Sequence, residues 1–120
     1  MAKAVDNTVL DAALDEIATS TRMTLCSAQP ANYAGIAAVA LANAVMAGGD
    51  YTNADGDTSG RKATVAAKAG ESVDVTGTGS HVALDDGATL LYVTTCDSIA
   101  VTSGGTVDFP AWDIEIADPS

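Results

Sequence analysis

The sequence predicts a mainly β protein, an antiparallel β-sandwich or barrel preceded by one N-terminal α-helix. A helical period of apolar residues occurs once, near the start of the 120-residue chain. After residue 22, short β-prone runs alternate with turn residues every 8 to 12 residues or so, which is typical of sandwiches and barrels. A chain of this length predicts one domain over 1–120, with the helix at about 7–19 and the sandwich at about 22–117.

Composition excludes several classes of function. The net charge is -11, with 16 acidic residues against 5 basic ones, so the chain would repel nucleic acid and anionic membrane surfaces. The longest apolar stretch, 35–49, is shorter than the ~20 residues that span a bilayer, and the first ten residues lack the apolar region of a secretory signal. We therefore expect a soluble protein made in the cytoplasm, with Cys26 and Cys96 as free thiols.

The N-terminal helix is predicted from its cap and its period. Asp6 or Asn7 can accept a hydrogen bond from the free N–H groups of the first turn, and the β-branched run at 19–21 ends the helix. Its apolar stripe must be covered, either by the domain's own sheet or by a neighbouring subunit. The stripe consists of Leu10, Ala13, Leu14 and Ile17. The candidate interface residues are Val9, Leu10, Leu14 and Ile17.

The first half of the predicted sandwich is the less regular one. A strand is expected at 22–28, followed by a break at 29–32. Between 33 and 49 the alanine content favours a helix, whereas the flanking glycines favour a strand between turns, so both remain open. We assign a strand at about 38–47, and a polar turn at Asn53–Asp57 follows it.

The second half shows firmer β signals. Asp and Gly in the run 85–87 tolerate the left-handed conformation of a tight turn, and Pro110 predicts an edge or a bulge within the last strand. Further turns are expected at 69–70 and 103–105. The predicted strands are 62–67, 72–76, 81–84, 90–96, 99–102 and 106–116.

Candidate reactive groups give little support for catalysis. Ser80 and His81 are neighbours on a predicted strand, so their side chains should point to opposite faces and not form a nucleophile–base pair. The run Asn53–Asp57 is similar to a calcium loop with Gly56 at its sixth position, but its first and twelfth positions hold tyrosine and lysine where oxygen ligands are needed. We expect a polar turn there.

Paired carboxylates are the remaining candidates for acid–base chemistry. Asp85 and Asp86 lie in a predicted turn, and Asp113 and Glu115 share the exposed side of a predicted strand. Acid–base catalysis needs one of a pair to be buried, and the pattern does not predict this. The sequence therefore predicts no catalytic residue, no cofactor site and no metal site, and we expect a protein that is not an enzyme.

Four blocks of the chain, spread over nearly its whole length, resemble a group of small structural proteins of tailed bacteriophages. This resemblance implies a virion protein from the morphogenesis region, near the major capsid protein, and it transfers no catalytic residues. The blocks are 5–14, 56–62, 77–87 and 114–119.

Within that group, the leading expectation is a capsid decoration (cement) protein. Such a protein would bind the major capsid protein on the outer surface of the virion and bridge capsomers, and self-association as a trimer would suit the threefold positions of a shell. One alternative is a head–tail connector or tail component. Another is a non-phage carbohydrate-binding β-sandwich, which needs exposed aromatic platforms, whereas Tyr92, Phe109 and Trp112 lie in strands predicted to be core.

Overall fold

The computed structural model describes residues 5–118. Within this range the chain forms two α-helical segments, one 3-10 turn and nine strands. The helical segments are α1 (Asn7–Ile17), α2 (Ile36–Val39) and the 3-10 turn Gly48–Asp50. The strands are β1 (Arg22–Cys26), β2 (Ala40–Val45), β3 (Tyr51–Asp55), β4 (Arg61–Val65), β5 (Lys68–Ser72), β6 (Gly77–Asp85), β7 (Leu90–Val101), β8 (Thr106–Phe109) and β9 (Trp112–Ile116).

The strands form three antiparallel sheets that do not close into a barrel. Their orders are β2-β1-β6-β7, β3-β4-β9 and β5-β8. The prediction of a mainly β fold with an N-terminal helix is confirmed, and the arrangement is sandwich-like. The molecule is elongated, with extents of 54 × 25 × 24 Å. Across residues 5–118, we find no helix with the length and apolarity needed to cross a membrane.

Helix α1 begins where the sequence predicts and ends slightly earlier. The carboxylate of Asp6 caps it by accepting the Thr8 N–H at 2.8 Å. The helix ends at Ile17 because the hydroxyls of Thr19 and Ser20 donate to carbonyl oxygens of its last turn at 2.6 and 2.7 Å.

One core runs between the sheets and under α1, and many of its side chains are small. The largest of its fully buried side chains include Leu14, Met23 and Leu84. Four alanines are buried beside them, namely Ala42, Ala44, Ala63 and Ala83. Small residues allow neighbouring strands to pack closely. At Gly79, for example, an added Cβ would collide with the side chain of Leu25.

The alanine-rich segment contains both of the structures that its sequence left open. One helical turn, α2, occupies Ile36–Val39, so the strand predicted at 38–47 begins only at Ala40. The turn forms because the Asn32 side chain accepts the Gly35 N–H at 2.8 Å and starts a helical bend. The strand begins where Ala40 pairs with Cys26 of β1.

The strand predicted at 72–76 is wrong, because the pairing occurs earlier in the chain. Strand β5 is Lys68–Ser72, and it contains the residues predicted as the turn 69–70. Gly70 has a φ of +70° at an irregularity in the β5–β8 register, and Asp108 of β8 accepts its N–H at 2.8 Å. Val73 forms only an isolated bridge to Ala42.

Several other boundaries differ from the predictions. The strands predicted at 22–28, 62–67 and 81–84 are Arg22–Cys26, Arg61–Val65 and Gly77–Asp85, and three differences are larger. The runs 90–96 and 99–102 are one strand, β7, because a register irregularity lets pairing with β6 continue through them. The run 106–116 is two strands in different sheets, divided at Pro110, which has no N–H to donate. The turn at Asn53–Asp57 begins later, because 53–55 still pair with β4.

Candidate functional site: an acidic surface and a cleft beside β7

Three of the four predicted interface residues of α1 pack within the protein itself. Leu10 and Leu14 are buried and Ile17 packs against the core, so the domain's own sheets cover this face. Arg61 of β4 holds the helix from outside, with its Nε 2.8 Å from Asp11 Oδ1. Val9 differs from the other three candidates because it is 59% exposed. Contact between Val9 and a partner stays a prediction.

The expectation that Ser80 and His81 point apart is wrong. Ser80 Oγ lies 2.8 Å from His81 Nδ1, because the β6–β7 register shifts between Gly79 and His81 and interrupts the alternation of side chains. Ser80 Oγ also lies 3.1 Å from the Ser27 carbonyl oxygen, which can only accept. Both contacts are satisfied when the imidazole donates to Oγ and the hydroxyl donates to Ser27. The serine proton then points away from the imidazole, which is the reverse of an activated nucleophile.

The polar loop that is similar to a calcium site has its acidic side chains in ion pairs. Asp55 Oδ1 lies 2.7 Å from Arg61 Nη1, and Asp57 Oδ1 lies 2.7 Å from Lys62 Nζ. Each carboxylate is thus compensated by a cation of the adjacent strand β4. In the part of the chain that the structure describes, no three or more His, Cys, Asp or Glu side chains group together to hold a metal ion.

One carboxylate is fully buried, and its partners are structural. Asp85 is 1% exposed and pairs across the sheet with Arg22, whose Nε lies 2.8 Å from Asp85 Oδ1. Its second oxygen accepts the Gly87 N–H at 3.0 Å, which closes the predicted turn at 85–87, where Gly87 has a φ of +91°. The Arg22 guanidinium also lies over the ring of Tyr33, 5.8 Å from the centroid. No local pattern in the sequence indicates this pair, because its members are 63 residues apart in the chain.

Most acidic residues have no ion-pair partner within residues 5–118. Every Lys and Arg between residues 5 and 118 is in an ion pair, and these pairs involve six of the 16 acidic residues. The remaining ten have no ion-pair partner within those residues. They are Asp6, Asp15, Glu16, Glu71, Asp74, Asp86, Asp97, Asp108, Glu115 and Asp118.

A cleft lies between β7 and the chain that runs from β8 into β9. It consists of two adjoining cavities of about 370 and 350 Å³. We call this the β7 cleft and define it by the residues that line both cavities, namely Val82, Cys96, Asp97, Phe109 and Pro110. Apolar side chains form most of its lining. The acidic residues Asp97, Asp108 and Asp113 also line it.

The aromatic side chains do not form an open platform for sugar rings. Phe109 is 4% exposed, and the rings of Tyr92 and Trp112 are half-buried and stacked on each other with centroids 5.9 Å apart. Tyr51 is also buried, and its hydroxyl donates to the Ser20 carbonyl oxygen at 3.1 Å. Burial raises the pKa of Tyr51 to about 12, so its hydroxyl stays protonated at neutral pH.

Both cysteines are free thiols, in different surroundings. Cys26 is buried in β1, and its burial raises the pKa of the thiol to about 11. Cys96 is half-buried in the β7 cleft, and partial burial also raises its pKa above the ordinary value. A thiol nucleophile needs a lowered pKa, so neither cysteine has the environment of a reactive one.

The described residues therefore bring together two features suited to binding, an uncompensated acidic surface and a partly apolar cleft. Of the four predicted interface residues, only Val9 has an exposed side chain. The cleft has no local sequence signal, because it joins residues from β6, β7, β8 and β9 that are far apart in the chain. Comparison with protein-family models, with curated proteins and with solved structures found no match.

Proposed function

We propose that this protein is a structural component of a tailed-bacteriophage virion and acts as a capsid decoration protein that bridges capsomers on the outer shell. The observation that carries the proposal is the distribution of charge. Between residues 5 and 118 every cation is paired within the molecule, while ten carboxylates are not. The resemblance of four sequence blocks to phage structural proteins supplies the class of partner, the major capsid protein.

This charge distribution suits a protein that binds many equivalent sites on one large partner. Free copies repel each other, so they stay separate until a surface with basic patches attracts them. A standard interface buries about 800 Å² of each partner. Since the described surface is 6383 Å², one such contact would use roughly an eighth of it. Several contacts per copy are therefore feasible, which is what bridging requires.

Exposed apolar side chains are available for such contacts. Val9, Val45 and Val75 are 59%, 78% and 50% exposed, and they lie on α1, at the end of β2 and just after β5. Apolar side chains surrounded by polar surface are favourable anchor points in an interface. Val9 was also a sequence-predicted interface residue, and it is the first position to test.

Imaging tests the proposal directly. Virions assembled with and without the protein should differ by density on the outer surface of the shell, at capsomer boundaries. Particles that lack it should release their DNA at a lower temperature, because the bridges that oppose internal pressure are missing. Density inside the shell, at the head–tail junction or in the tail would contradict the decoration role, and the last two positions would favour a connector or tail component.

A substitution on the surface separates binding from folding. Val9→Asp should reduce the occupancy of the protein on virions while leaving its unfolding midpoint within error of the wild type, since Val9 is exposed. Thr8→Asp is a matched control, because it adds the same charge at the neighbouring exposed position of α1. Equal loss of occupancy in both variants would mean that charge, and not an apolar contact, is responsible.

A further inference from the structure

We propose that the β7 cleft binds an extended segment of a partner protein in which apolar and basic side chains alternate. The identity of the partner, a capsid protein, rests on the proposed function above. The chemistry of the bound segment does not, because it follows from three properties of the cleft: unused backbone groups, an apolar lining and acidic residues.

The first property is the free edge of β7. In the sheet β2-β1-β6-β7 this strand is outermost, and no second strand pairs with it among residues 5–118. Its register opposite β6 passes from the pair His81–Thr95 directly to Gly79–Ile99. Residues 96–98 therefore bulge opposite Ser80. On the side of β7 away from β6, no strand of residues 5–118 uses the backbone N–H and C=O groups. An extended segment presents N–H and C=O groups at the spacing that such an edge needs.

The second property is the apolar lining. Leu25, Val82, Val107 and Phe109 line the cleft and are at most 8% exposed, whereas Ile99, which also lines it, is 39% exposed. Since side chains alternate along an extended segment, every second one would point into this lining. Burial of those side chains, together with the exposed part of Ile99, would supply the hydrophobic part of the binding free energy.

The third property is charge. Asp97 is exposed, has no ion-pair partner among residues 5–118 and lines both cavities of the cleft. Asp108 lines one cavity and Asp113 the other. Of these three carboxylates, only that of Asp113 lies near a cation of residues 5–118, with 3.5 Å between its Oδ2 and Lys62 Nζ. The outward side chains of a bound segment therefore favour Lys or Arg. A second copy of this chain is a poor occupant, because each copy has a net charge of -11.

Purified protein and a synthetic peptide test the inference without any virion. The probe is a blocked peptide of about eight residues, a usual strand length, in which lysine and valine alternate. Because Trp112 is the only tryptophan and lines the cleft, its fluorescence should change saturably with added peptide. Alkylation of Cys96 by iodoacetamide should slow about tenfold when nine-tenths of the protein is bound. Cys26, which is fully buried, is the internal reference.

Two control peptides separate the contributions of charge and backbone. A peptide in which glutamate replaces lysine should not bind, because it would meet the acidic residues of the cleft. The lysine–valine peptide methylated at every backbone nitrogen should also fail, since it cannot donate hydrogen bonds to β7. Equal binding of the glutamate peptide would overturn the charge argument, and equal binding of the methylated peptide would overturn pairing with the strand edge.

A pair of protein variants locates the site. Asp97→Lys should weaken binding of the lysine–valine peptide about tenfold at low salt, because an attraction becomes a repulsion. Glu16→Lys makes the same charge change at an exposed position of α1 outside the cleft and should weaken it about twofold or less. Equal weakening in both variants would mean that only the net charge attracts the peptide, which overturns the inference.

The outcomes also distinguish this inference from the proposed function. Peptide binding by a protein that is absent from virions would leave the cleft assignment standing and remove the decoration role. A protein that decorates virions but shows no saturable peptide binding would support the decoration role and overturn the assignment of the cleft. Dimerisation in sedimentation experiments, with Cys96 protected in the absence of peptide, would identify a second copy as the occupant and overturn the inference.

Discussion

Replacement of Asp85 by alanine should remove about half of the stability of this fold. Asp85 is 1% exposed, and its carboxylate accepts hydrogen bonds from Arg22 Nε at 2.8 Å and from the Gly87 N–H at 3.0 Å. Loss of one member of a buried ion pair typically costs about 3–5 kcal/mol, because the other charge is left uncompensated. Since the Arg22 side chain is 36% exposed, water can solvate part of its charge. We therefore expect a cost of about 3 kcal/mol.

Urea denaturation at neutral pH measures this change. A 120-residue domain with a core of small side chains should have an unfolding free energy near the lower end of the usual range, about 6 kcal/mol. With a slope of about 2 kcal/mol per molar urea, Asp85→Ala should lower the midpoint by about 1.5 M. Asp85→Asn should lower it less, since the amide oxygen can still accept one of the two hydrogen bonds.

A matched variant provides the control. Asp74→Ala removes the same carboxylate from an exposed position that has no ion-pair partner within residues 5–118, and it should change the unfolding free energy by less than about 0.5 kcal/mol. If Asp85→Ala shifts the midpoint no further than this control does, then the buried pair does not hold the β1–β6 register and the reasoning is refuted.

Three further predictions concern the core, the loss of stability at alkaline pH and a turn. Leu14→Ala should cost about 3 kcal/mol in urea denaturation, and Val9→Ala less than about 0.5 kcal/mol, because only Leu14 is buried. Burial raises the pKa of the Cys26 thiol from 9.0 to about 11. The contribution of this thiol to the free energy of unfolding should therefore be complete below pH 9.0 and fall as the pH rises towards 11. A Cys26→Ala variant that loses the same free energy of unfolding over this range would contradict this. Gly60→Ala should lower the melting temperature more than Gly87→Ala, since both have positive φ but only at Gly60 would the new Cβ meet a backbone oxygen of β9.

Local signals in the sequence were sufficient for the helix and the tightest turn. Asp6 caps α1 through an atom two residues away, and the 85–87 turn depends on the conformation of its own residues. Such features need no information from distant parts of the chain. The fold class follows for a similar reason, because the spacing of turns limits strand length whatever the pairing partners are.

Features that depend on distant residues were not predictable. Strand β5 includes Gly70, a turn-prone residue, because β8 lies beside it and Asp108 accepts its N–H. The bulge that brings Ser80 against His81 depends on β7, so the alternation rule for a regular strand gave the wrong geometry. The same limit applies to the candidate site, since no pattern within one segment indicates that β7 stays unpaired or that Phe109 and Pro110 lie across from it.

The division of 106–116 between two sheets also constrains how the molecule is made. Strand β8 completes the sheet with β5, and strand β9 completes the sheet with β4. Two of the three sheets therefore cannot be complete until residues 106–116 are present. During synthesis, β5 leaves the ribosome long before its partner β8, and β4, which can pair with β3, leaves it long before its second neighbour β9. A nascent chain stalled before residue 106 would therefore expose unpaired strands and be a substrate for chaperones and proteases, so the cell can supply a folded protein only after this stretch has been translated.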